Sequence, residues 1–345
     1  MKFPNIKSFP TFWENGMKLQ AEHFQHLENS IEDSIRDVQA TSVLGLESFG
    51  LLPNSEFSVR NAQGQSPQTV RVVLGACRAI LPGGYRVEIL PENIQKLQVP
   101  NQAPYVEFMP ARQMRYHLFL SVGEMGRIPA GIPQTRPIRQ PYLSYDYTLE
   151  CVSNDRISAF KSVVANRMKV AEWQDGRIVE GYIPPTLTIR GFELLEKWHN
   201  YFQTQLENTA RVAVHVINEH RNRDKPRAEF CQPIVHFIRR TQGDFRWLIP
   251  GQAPIHMAVY FYNFAGLVQG IMETSDRDFV RNRLKNGEIN GLRTSINSLL
   301  KMKSYPQEDM AIILSRAQKF FSSLILTLQS LIDKQAPTPR VGDRT

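Results

Sequence analysis

Apolar residues recur along this chain at two periods, and the change from one to the other divides it. Over residues 20–40, Phe24, Leu27, Ile31, Ile35 and Val38 step by three and four, which collects them on one helical face. Glu28, Glu32, Asp33, Arg36 and Asp37 fall largely on the other faces. From about residue 48 to 190, short β-prone runs alternate with turn residues. Residues 70–81 and 85–90 flank Pro82-Gly83-Gly84, the chemistry of a hairpin connection. In the second run Tyr85, Val87 and Ile89 alternate with Arg86 and Glu88, as on a half-buried strand. Residues 116–122, 142–152 and 162–171 continue the series, and the turn at 173–177 leads into 178–183. Regular short strands with such turns predict an antiparallel sandwich or barrel. Residues 126–141, with four prolines, two glycines and three arginines, read as a long loop of the functional or mobile kind.

Tyr182-Ile183-Pro184-Pro185 reads as a domain boundary, because two prolines stop a strand ladder. Beyond it the helical period takes over. Leu195, Trp198, Phe202, Leu206, Thr209, Ala213 and Val216 step by three and four up to His220. Further helices are expected over 232–245 and 255–272, with shorter pieces at 276–285 and 292–302. The last helix has Pro306 where a first-turn proline belongs, and Glu308 and Asp309 complement its positive dipole end. Met310, Ile313, Ala317, Phe321, Leu324, Leu328 and Leu331 then form a seam close to a heptad repeat. The expected fold class is α+β, an antiparallel β-sandwich at 1–185 followed by an α-helical bundle at 186–334. A Pro/Arg/Asp-rich tail at 335–345 is expected to be disordered.

The chain has 345 residues, 42% of them hydrophobic and 21% charged, enough for a packed core. A net charge of +8 favours acidic partners. The basic residues are spread out, however, and the one cluster, Arg221 to Arg227, contains Asp224 and reads as a solvated inter-helix loop. Neither nucleic acid nor a small-molecule substrate is therefore expected as a partner. Cys77, Cys151 and Cys231 are far apart and odd in number, which argues against a disulfide framework or zinc site and for a reducing compartment. The N-terminus lacks a signal-peptide apolar run, and no uninterrupted run reaches spanning length, so the chain reads as cytoplasmic and soluble.

Candidate chemistry is thin. His23 and His26 form an H-x-x-H without an evident third ligand. Nucleotide-binding and hydrolase signatures are absent, and Asp276 and Asp278 read as a helix N-terminus rather than an acid–base pair. The aromatic run from Tyr260 to Phe264 reads as core at helical spacing. No catalytic, metal-binding or cofactor-binding residue is assigned, and no enzyme activity is expected. By pattern the helical seams favour self-association only modestly, because an intramolecular bundle uses the same spacing. Their candidate contact residues are Leu195, Trp198, Phe202, Leu206, Ala213, Ile313, Ala317, Phe321, Leu324 and Leu328.

Residues 13–25, Trp13-Glu14-Asn15-Gly16-Met17-Lys18-Leu19-Gln20-Ala21-Glu22-His23-Phe24-Gln25, resemble the opening motif of TssK subunits, W-x-E-G-M-x-L-x-P-Q-H-F-Q. Asn15, Ala21 and Glu22 depart from it. Leu81 to Gly84, Tyr182 to Pro185 and Ser304 to Asp309 are similar to the family's hairpin, its hinge and the start of its last neck helix. The resemblance implies a β-rich shoulder like that of phage receptor-binding proteins, on a helical neck that forms a homotrimer. It further implies a structural baseplate role in a bacterial type VI secretion system, linking TssF/TssG-like wedge proteins to a membrane-complex protein of unknown identity. The family's C-terminal head is not expected here, since few residues follow the last seam. Candidate partner contacts are Phe12, Trp13, Met17, Arg127, Arg136 and Arg139, chosen for exposure-prone surroundings. The competing readings are a phage tail receptor-binding or adaptor protein, a β-sandwich hydrolase with a helical appendage, and a basic nucleic-acid binder.

Overall fold

The computed structural model describes residues 12, 14–42, 49–53, 56–82, 84–97, 103–136, 138–161, 167–275, 286–302, 305 and 307–332. Trp13, the start of the strand expected from 162, the helical piece at 276–285 and the tail at 335–345 lie outside the described residues. The chain forms two compact units, residues 1–192 and 193–345.

The first unit opens with helix α1 (Ala21–Ser42), followed by two antiparallel sheets. The first sheet is organised by the long strand β3 (Val70–Ile80). Its first half lies between β2 (Ser58–Gln63) and β5 (Tyr105–Phe108), and its second half between β1 (Gly50–Leu51) and β4 (Arg86–Ile89). The expected hairpin joins β3 to β4. Gly84 has φ +82°, a left-handed turn position open to glycine, and its N–H donates to Leu81 O at 2.8 Å. The second sheet runs in the order β11 (Arg177–Ile178), β10 (Arg167–Gln174), β6 (Tyr116–Ala130), β9 (Tyr142–Ser153). The sheets face each other across one core, to which β3 and β4 give Leu74, Cys77 and Val87, and β6 and β10 give Leu118, Leu120, Met168 and Trp173. Short helices α2 (Pro91–Leu97) and α3 (Ile157–Lys161) lie between strands.

Residues 126–141 are not a loop. β6 and β9 continue past a register shift between Val122 and Arg127, so that Arg127–Ala130 pair with Tyr142–Tyr145. A small hairpin, β7 (Gln134–Thr135) with β8 (Ile138–Arg139), closes this arm. Pro129 is tolerated because β10 flanks β6 only over 116–121, which leaves the arm part of β6 without a described partner on its other edge. The segment 182–186 is buried rather than exposed. Leu51 N–H donates to Pro185 O at 2.8 Å, and Leu187 N–H donates to Leu51 O at 2.9 Å. Gly50 permits this approach: a Cβ there would lie 2.4 Å from the Pro185 carbonyl carbon. The two units divide beyond these prolines, between Phe192 and Glu193.

The second unit contains α4 (Glu193–His220), α5 (Lys225–Gly243), α6 (Pro254–Thr274), α7 (Asn286–Leu300) and α8 (Met310–Ser330). Its core is aromatic. Phe202 lies 4.5 Å from Phe261 and 5.6 Å from Phe321, centroid to centroid, and Phe237 stacks on Phe264 at 5.0 Å. α8 is long and apolar enough to cross a membrane by composition, and half of its most apolar stretch is buried in this unit. The basic cluster is not a simple solvated loop, because α5 begins at Lys225 and Arg227 Nη1 donates to Leu331 O at 2.8 Å. That bond satisfies one of the carbonyls left open at the end of α8.

Candidate partner-binding surface

In the first unit, the arm and α1 border an open cleft of about 1150 Å³ that β4 and α2 also line. Arg127 organises it. Its Nη1 lies 3.2 Å from Glu28 Oε2, its Nη2 pairs with Glu32, and its guanidinium sits 5.7 Å from the centre of the Tyr145 ring. Tyr145 Oη donates to Glu32 Oε1 at 3.1 Å, and the ring meets Tyr85 edge-on at 5.8 Å. Deeper in, the Glu88 N–H donates to Tyr147 Oη at 3.3 Å, and burial pushes the Tyr147 hydroxyl up to about 12. Carboxylates, guanidinium groups and tyrosines thus share one open wall, which suits binding a protein segment better than enclosing a small molecule.

A second polar cluster is sealed in the sheet. Lys169 Nζ lies 2.6 Å from Glu172 Oε1, and His117 Nδ1 lies 3.5 Å from the same oxygen. His117 Nε2 is 3.0 Å from Asn154 Oδ1. Burial of Glu172 opposes its charge, but hydrogen bonds from His117 and Lys169 and the charges of Lys169 and Arg115 outweigh it and bring its carboxyl down to about 2. All three side chains are nearly inaccessible, so the cluster ties strands together and offers no substrate access. Burial pushes up the thiols of Cys77, Cys151 and Cys231, the last two to about 12, which makes them poor nucleophiles. His23 Nδ1 accepts from the Gln20 N–H at 3.3 Å, a local contact at the start of α1.

The candidate self-association residues lie in the interior of the helical unit. Leu195, Phe202, Leu206, Ala213, Ile313, Ala317, Phe321, Leu324 and Leu328 are all buried within the single-chain helical unit. Only Trp198 remains partly exposed, stacked at 5.7 Å on Phe202. Within one chain, facing helices of the bundle satisfy the spacing of these seams. Among the described residues of this unit, the large apolar side chains left exposed are Trp247, Leu248, Val259 and Tyr262, and on α8 Ile312 and Leu326. Among the partner candidates, Phe12 is exposed and Met17 partly so, while Trp13 lies outside the described residues. Arg136 and Arg139 are exposed on the arm hairpin, Arg139 donating from Nε to Gln134 Oε1 at 3.1 Å. Arg127 is engaged by α1. Glu28, Glu32 and Tyr145 carried no sequence signal of this role, since their partner is remote in the chain.

No family model matches the chain, and no curated protein does. Solved structures do. A crystal structure of TssK superimposes with a TM-score of 0.56 at 16% identity, over 93% of this chain and 69% of that one. TssK of the EAEC type VI secretion system, in complex with nanobody nb18, gives 0.53 at 13% identity, over 89% of this chain and 100% of that one. A chain of the type VI secretion TssK–TssF–TssG baseplate subcomplex, determined by cryo-electron microscopy, gives 0.51 at 13% identity, over 92% and 100%. The order of two antiparallel sheets followed by a helical unit is therefore that of TssK, and the chain has the TssK-like fold.

Proposed function

We propose that this chain is a non-catalytic baseplate subunit of a type VI secretion system, a homotrimeric adaptor that joins TssF/TssG-like wedge proteins toward a membrane complex at the cytoplasmic face of the inner membrane. The observation that carries this reading is the likeness to TssK over nearly the whole chain, including the chain seen with TssF and TssG. The open, mixed-charge cleft and the sealed Lys169–Glu172–His117 cluster support a binding role over catalysis. Because the seam residues are consumed by the intramolecular core, the trimer contact of the helical unit falls to its exposed apolar residues. α6 supports this best: it is apolar nearly all round, and a helix of that kind is normally covered on every side. Val259 and Tyr262 are half exposed on it, with Trp198 as a further contact. Phe12, Met17, Arg136 and Arg139 remain the candidate wedge contacts.

The test is the solution mass of the full chain, with co-purification of a wedge protein encoded beside it. A species of three times 39.6 kDa that retains the wedge protein is expected. A single-copy species at micromolar concentration that retains no wedge protein overturns the proposal.

A further inference from the structure

The charges that line the cleft beside α1 do not cancel. Among the described residues its carboxylates are Glu28, Glu32 and Glu88, and arginines of the same chain engage all of them. Arg127 holds Glu28 and Glu32, while Arg78 and Arg86 hold Glu88, each at 2.8 Å. Lys96 on α2 and Arg139 on the arm hairpin line the same cleft and are exposed. Neither forms an ion pair with a described carboxylate. Arg139 meets only the neutral Gln134 amide, and Lys96 Nζ sits 5.5 Å from the centre of the Tyr142 ring.

Beside these cations lies an apolar shelf, Tyr142 and Leu143, 46% and 48% exposed. The shelf is built in. The Gly131 N–H donates to Leu97 O at 2.5 Å, which fastens the arm to α2 and keeps Lys96 beside it. Gly131 has φ +96°, and a Cβ there would lie 2.7 Å from Tyr142 Cδ2 and 2.9 Å from Pro141 Cγ. Only a glycine lets these two residues pack so closely on the backbone.

The occupant has to supply carboxylates and an apolar group, and charge argues against this chain as its source. Residues 1–11 carry two lysines and no carboxylate, and a second copy brings a net charge of +8. A phosphate-dense polymer would set its charge against the cleft's own carboxylates as well as its cations. A protein segment with spaced carboxylates and an apolar side chain between them avoids both conflicts. We propose that the cleft seats an acidic segment of the wedge protein, its carboxylates on Lys96 and Arg139 and an apolar side chain on Tyr142 and Leu143. This rests on the wedge-binding role proposed above and gives the chemistry of the contact.

The test uses the full chain carrying Leu143→p-benzoylphenylalanine, co-expressed with the wedge protein encoded beside it. The co-purified complex is irradiated, and the cross-linked segment is mapped by tandem mass spectrometry. An adduct to a wedge segment with more carboxylates than basic residues is expected. Its yield should fall at least about tenfold when Lys96→Glu and Arg139→Glu are added, with the melting temperature of the free chain unchanged. It should also fall as salt is raised before irradiation, because exposed ion pairs are screened. A wedge protein that co-purifies but gives no adduct, or gives one only through a neutral or basic segment, overturns the proposal while the proposed function stands. An adduct joining two copies of this chain, or a yield indifferent to the charge reversals, also overturns it. A wedge protein that does not co-purify overturns both this contact and the role on which it rests.

Discussion

Arg127 Nη1 on the arm lies 3.2 Å from Glu28 Oε2 on α1, while its other amino group pairs with Glu32 one turn along. One guanidinium therefore fastens the helix to the strand pair that also displays Arg136 and Arg139. Arg127→Ala is expected to loosen α1 without unfolding the sandwich. The pairs are partly exposed, so the global cost should be about 0.5–1 kcal/mol. Amide hydrogen exchange over residues 21–35 should rise well above that of β3 and β6. Exchange in α1 that stays at the wild-type rate would show that the ion pairs do not hold it.

Phe321 is fully buried and meets the rings of Phe202, Phe261, Phe264 and Phe320. Phe321→Ala should lower the stability of the helical unit by about 3–5 kcal/mol, through lost burial and the cavity left behind. Chemical denaturation followed by circular dichroism measures this. A loss below about 1 kcal/mol would place Phe321 outside the core of the bundle.

Val259→Asp combined with Tyr262→Asp should behave oppositely. Both side chains are half exposed on α6, so helical content and unfolding midpoint should stay near wild type while the oligomer mass falls. Light scattering of the purified variant decides this. A full-size oligomer would move the helical contact to Ile312 and Leu326 on α8.

Glu172 should make the sandwich sensitive to acid. Its carboxyl stands at about 2 in the folded chain against an ordinary 4.5. Because the folded value is the lower one, the stabilisation is present above pH 4.5 and is lost as pH falls toward about 2. Glu172→Gln leaves Lys169 buried without its countercharge and should cost about 3–5 kcal/mol at neutral pH. The gap in melting temperature between wild type and variant should therefore narrow as pH falls through that window. A gap that stays constant there would mean that Glu172 does not carry the effect.

Strands with an alternating apolar face were readable from local pattern, as in β4, where Val87 and Ile89 are buried and Arg86 is exposed. β2 was not, because Ser58–Gln63 is mostly exposed and polar and is a strand only through pairing with β3. The arm reads as a loop in sequence because its prolines and glycines signal one locally, whereas its strand character comes from register with residues 142–145. Of the partner surface, the exposure of Arg136 and Arg139 was legible, and the engagement of Arg127 by Glu28 and Glu32 was not.

Spacing along the chain determined which residues share a face, since Phe24, Ile31 and Ile35 on α1 and Ile313, Phe321 and Leu328 on α8 are brought together by helical geometry alone. What each face meets was decided only in three dimensions. The α8 stripe is closed by helices of its own bundle, whereas Ile31 and Ile35 on α1 stay half exposed while Arg127 and Tyr145 hold the helix by its carboxylates. Burial of an apolar stripe lowers the free energy whichever surface covers it, so the periodicity that creates the stripe carries no information about its partner.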